Sequence, residues 1–88
     1  PDLIHRYLSE TRPWLDQLTS AIDPLNEQAF HQTLQQLRSS SLQVGLSDIV
    51  SSCDALETCL RMGTIDQVAY QVRQLEAEYY RVQASIHL

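Results

Sequence analysis

Eighty-eight residues make one domain, near the lower end of what supports an independent core. Eleven acidic residues against six arginines and no lysine give a formal charge of −5, and the arginines are scattered, so nucleic acid and anionic membrane surfaces are excluded as partners. Two glycines and three prolines leave little material for β-sheet turns, while Leu, Gln, Ala, Glu and Arg favour helix, so the composition reads as all-α.

The first helical segment is expected over residues 2 to 21, with Leu3, Ile4, Tyr7, Leu8, Leu15, Leu18 and Ile22 at helical spacing. Pro13 removes one backbone hydrogen bond and crowds the preceding turn, which predicts a kink, or two abutting helices, near Thr11 and Arg12. Trp14 is expected to fill the end of the bundle.

Asp23-Pro24 reads as the next helix start, because an Asp side chain accepts from the free N–H groups of a first turn and Pro suits its first position. That helix is expected from Pro24 to about Leu42. Phe30, Leu34, Leu37, Ser41 and Val44 share one side of it, and Gln28, Gln32, Gln35, Gln36, Ser39 and Gln43 lie opposite. Between Pro24 and Ser47 the only charged residues are Glu27 and Arg38. Uncharged polar side chains are cheaper to desolvate than charged ones, so this face suits an interface.

Gly45 sits where the chain must reverse. A third helix is expected from a Ser47 cap to about Met62, stopping at Gly63, with Leu46, Ile49, Val50, Cys53, Leu56 and Leu60 as its apolar stripe. Thr64 followed by Gln67 fits a capping box. The last helix has the clearest pattern: Ile65, Val68, Val72, Leu75, Tyr79, Val82 and Ile86 form the seam of a bundle helix. Four amphipathic segments joined by short turns imply an antiparallel up-and-down four-helix bundle.

Cys53 and Cys59 lie about 240° apart round one helix and cannot bridge each other, so they read as small core thiols of a reducing compartment. His5, His31 and His87 are too dispersed for a zinc site, and no metal or other cofactor is expected. No run approaches a membrane span and no signal peptide is visible. The chain begins at Pro1, and it is expected to be a single domain, residues 1–88, excised from a longer cytoplasmic protein. Paired carboxylates, phosphate loops and nucleophile elbows are not evident, so an enzyme is not expected.

The stretch from Phe30 to Glu57 resembles the centre of the histidine phosphotransfer (HPt) domains of phosphorelays. Their pattern is His-x-Leu-Lys-Gly-Ser, a Gly ten residues after the His, then a helix carrying Cys and Glu. Without a gap the same frame gives Gln35, Gln36, Leu37, Arg38, Ser39 and Ser40, then Gly45, Cys53 and Glu57. The connection Arg61 to Asp66 also looks like the family's approach to its final helix, so the resemblance covers essentially the whole chain.

The resemblance implies an HPt-like bundle in which Gln35 stands at the phospho-accepting position and Ser39 replaces a glycine. An imidazole offers a nucleophilic ring nitrogen to an aspartyl phosphate. The Gln35 amide does not, because its lone pair is delocalised into the carbonyl. Arg38 keeps the cation one turn away and suits an acidic receiver pocket. The expectation is a degenerate, phosphotransfer-inactive member that binds the receiver domain of a response regulator or hybrid kinase through Gln28, Gln32, Gln35, Arg38, Ser39 and Gln43. One alternative is a structural or dimerising bundle with its Gln-rich face against another copy. The other is an active phosphotransfer domain that uses His31, four residues before Gln35.

Overall fold

In a computed structural model, which describes residues 2–86, the chain is four helices: α1 (Asp2–Ser20), α2 (Glu27–Gln43), α3 (Ser47–Met62) and α4 (Ile65–Ile86). α1 packs against α2 and α4, and α3 against the same two, so α2 and α4 stand diagonally across an antiparallel bundle of 37 × 18 × 18 Å. All ten residues expected at its centre, namely Phe30, Leu34, Leu37, Ile49, Cys53, Leu56, Val68, Val72, Leu75 and Tyr79, are buried. Burial of these stripes is the main source of helix stability, since helices this short are marginal in isolation.

Two local expectations are corrected and one is narrowed. Of the two forms expected near Pro13, a kink or two abutting helices, the second is absent: α1 is one helix with Pro13 inside it. The proline takes the donor from the Ser9 carbonyl, and both residues are exposed, which lets water take the donor's place. α2 starts later than Pro24: Asp23 and Pro24 lie in a turn closed by a bridge between Ile22 and Leu25, and Asn26 caps the helix by accepting from the Ala29 N–H at 3.1 Å. Ser47 is the first residue of α3 rather than its cap; Leu46 occupies the cap without a side-chain hydrogen bond.

The reason lies in the α2–α3 turn. Gly45 has φ 76°, and two bonds close the helix end behind it, Gly45 N–H to Leu42 O at 3.1 Å and Leu46 N–H to Ser41 O at 2.9 Å. This Schellman arrangement carries Leu46 onto the core, so apolar packing sets the entry into α3. At the next turn the expected capping box is present, with Gln67 N–H donating to Thr64 Oγ1 at 3.2 Å and Thr64 N–H to Gln67 Oε1 at 3.0 Å. Ile65, placed by its spacing on the seam, is 45% exposed because it sits at the bundle end.

Hydroxyls buried between helices complete the core. Ser41 Oγ donates to Leu37 O at 2.7 Å, so its single proton is spent and the 2.7 Å contact with Tyr7 is donated by the Tyr7 hydroxyl. Thr11 donates to Tyr7 O, and the Tyr79 hydroxyl to Leu8 O. Among the described residues no buried side-chain polar atom lacks a partner.

Candidate functional site on the outward side of α2

The inward stripe of α2 fixes what faces out. With Phe30, Leu34, Leu37 and Ser41 in the core, the helical period turns Gln28, Gln32, Gln35, Ser39 and Gln43 to the surface, and all five are exposed. Arg38 is half-buried at the edge that meets α3. The six residues expected to form a binding face therefore do lie along one exposed side of α2.

The edge toward α3 is held by two carboxylates. Gln35 Nε2 donates to Glu57 Oε1 at 2.8 Å, and His31 Nδ1 lies 2.9 Å from the same oxygen. Arg38 Nε donates to Asp54 Oδ1 at 2.7 Å. Asp54 and Glu57 are three residues apart on α3 and so share a face, which the antiparallel packing sets against α2. Glu57 is sheltered, with 18% of its side chain exposed, whereas Asp54 is 56% exposed. The Asp54 hydrogen bond and charge hold Arg38 more firmly protonated than usual. Beneath the pair, burial pushes the Cys53 thiol up to about 12, with the Asp54 charge adding to the effect, so it is an uncharged core group.

The edge toward α1 differs. Trp14 lies beside the middle of α2 rather than at the bundle end, half-buried, and lines a shallow cleft with Gln35, Gln36, Ser39 and Ser40. No residue of that cleft is charged. Leu42, one turn beyond Arg38, is 54% exposed on the same side of α2. The sequence reading places Trp14 at the bundle end and Leu42 at the helix boundary, so it does not put either along this face. Asp54 is not singled out by it either, although its three-residue spacing from Glu57 is a usable signal.

His5 lies on α1, away from this face in sequence, and His87 lies outside the described residues. Among the described residues no group of three or more His, Cys, Asp or Glu is placed to hold a metal ion, and no helix is long and apolar enough to cross a membrane. Cys53 and Cys59 are free thiols, the first buried and the second half-buried.

A family model described as the Hpt domain matches residues 2–85. The chain belongs to the Hpt domain family. No curated protein and no solved structure gives a match. Hpt domains are phosphorelay modules that carry phosphoryl groups and are not enzymes in the usual sense, and the bundle described above has the architecture of that family. Gln35 lies in the middle of the exposed side of α2.

Proposed function

We propose that this Hpt domain is phosphotransfer-inactive and acts by binding a receiver domain, of a response regulator or a hybrid kinase, through the exposed side of α2. The observation that supports the reading is Gln35: the motif resemblance aligns it with the family's acceptor His, and it is exposed one turn before Arg38 with its amide engaged by Glu57. A side-chain amide can hydrogen-bond to a docked partner and cannot hold a transferable phosphoryl group. Around it, Gln28, Gln32, Ser39 and Gln43 supply an uncharged face, and Arg38 a cation for the acidic pocket of a receiver. Such a module competes for a receiver or scaffolds it in the cytoplasm.

The test restores the chemistry. Gln35→His places an imidazole one turn before Arg38 on a helix that need not move, and Ser39→Gly removes the side chain that stands where the family brings a partner close. The double variant is expected to accept phosphate from a phosphorylated receiver better than Gln35→His alone, while the wild type accepts none. If no receiver of a broad panel, including any encoded in the same protein, binds the wild type or phosphorylates the double variant, the docking face is not retained and a structural or self-associating bundle replaces this reading.

One observation favours a second reading. His31 is 54% exposed and its Nδ1 lies against Glu57, which leaves Nε2 as the ring nitrogen outside that contact. As an acceptor His31 would stand seven positions from Arg38 instead of three, so a docked receiver would have to shift by a turn. A base-stable, acid-labile phosphoryl label on the wild type that disappears in His31→Gln would establish it.

A further inference from the structure

The α2–α3 edge carries one arginine and two carboxylates, and the two carboxylates are not equivalent. Glu57 is sheltered and engaged by both Gln35 and His31, so it belongs to the framework of the edge. Asp54 is the more exposed, and the bond it accepts from Arg38 uses Nε, one of five guanidinium donors. An ion pair this open to water is weak, because both partners are well solvated when apart. Arg38 can therefore leave Asp54 at little cost. Asp54 cannot leave the face, and its charge stays where a partner's carboxylates would come.

We propose that Asp54 is a specificity-determining residue of this face: it occupies Arg38 until a partner carboxylate takes its place, and by its own charge it discriminates against partners whose acidic pocket is not matched to it. The inference rests on the reading that α2 docks a receiver, and it assigns Asp54 a role on α3 that no motif on α2 carries. Docking is then an exchange of one carboxylate for another at Arg38, so net affinity is the difference between two similar ion pairs less the repulsion from Asp54. The wild-type face binds weakly and selectively; without the Asp54 charge it binds more tightly and less selectively.

The experiment measures binding of the wild type, Asp54→Asn, Arg38→Gln and the double variant to a panel of receiver domains by calorimetry. Asp66→Asn, in the first turn of α4 and off the α2–α3 edge, controls for the change in net charge, and circular dichroism confirms that each variant folds. Asp54→Asn is expected to tighten binding roughly three- to tenfold, with the gain shrinking as salt is raised. In the Arg38→Gln background the gain should be smaller, because releasing the cation no longer contributes, and Asp66→Asn should leave affinity unchanged. A receiver that binds the wild type but binds Asp54→Asn no better, or a gain reproduced by Asp66→Asn, overturns the proposal while leaving receiver docking intact. If neither the wild type nor Asp54→Asn binds any receiver, docking itself fails and the role of Asp54 fails with it.

Discussion

The two sides of α2 use polar groups in opposite ways. On the inward side the Ser41 hydroxyl bonds to Leu37 O and receives the Tyr7 hydroxyl, out of reach of water in the same buried stripe as Phe30, Leu34 and Leu37. On the outward side Gln35 and Arg38 reach Glu57 and Asp54 over similar distances, but at the surface. Geometry alone does not separate the two sets of bonds. Burial does: a buried hydroxyl that loses its partner pays its full desolvation cost, whereas a surface amide or guanidinium takes water instead. The inward bonds thus belong to the fold, and the outward ones can be exchanged for contacts with a partner.

The largest effect should come from cutting into the inward side. Leu37→Ala is expected to cost about 2–5 kcal/mol in chemical denaturation, because the fully buried side chain leaves a cavity. A loss below about half a kcal/mol would mean that the core had been assigned to the wrong side of the helix.

Next is the response to alkali. Burial pushes the Cys53 thiol from its ordinary 9.0 to about 12, and the Tyr7 phenol from 10.0 to about 12. As pH rises past 9.0 and then 10.0 the unfolded chain releases these protons while the fold retains them, so stability should fall progressively up to about pH 12. Cys53→Ala should delay the onset toward pH 10, the ordinary tyrosine value. An unchanged pH profile of urea midpoints in that variant would show that the thiol is not the buried group described.

The inward hydroxyl pair should respond asymmetrically. Ser41→Ala strands the buried Tyr7 hydroxyl and is expected to cost about 1–3 kcal/mol, whereas Tyr7→Phe leaves Ser41 bonded to Leu37 O and should cost about 1 kcal/mol. Equal losses would argue against the direction assigned to that hydrogen bond. The smallest effect belongs to the outward side: Arg38→Ala should change stability by less than about 1 kcal/mol, since it breaks only an exposed pair. A larger loss would make Arg38 part of the framework and unavailable to a partner.

The bundle was legible in the sequence because apolar periodicity reports burial directly. Leu34, Leu37, Val72 and Leu75 fall where their spacing puts them, and Gly45, Gly63 and the Thr64–Gln67 box mark ends with their own chemistry. Helix starts were read less well, since Asp23-Pro24 and Asn26 are both competent starts and only the turn between Ile22 and Leu25 selects the second. Residues of α2 that face outward could be named from the same period. What they touch could not, because the pairing of Gln35 with Glu57 and Arg38 with Asp54 depends on the register of two helices and on which rotamers reach across. The cleft beside Trp14 depends in the same way on how α1 lies against α2.

The central claim, a receiver-binding face that does not carry phosphate, is tested most directly by mixing the isotope-labelled wild-type domain with phosphorylated receiver domains and recording phosphorus and amide NMR spectra of the same sample. With the cognate receiver, the account predicts amide shifts confined to α2 and the facing edge of α3, around Gln35, Arg38 and Asp54, and no phosphohistidine signal at any mixing time. A phosphohistidine signal on the wild-type domain would contradict it, as would binding that shifts amides elsewhere and leaves the α2 face untouched.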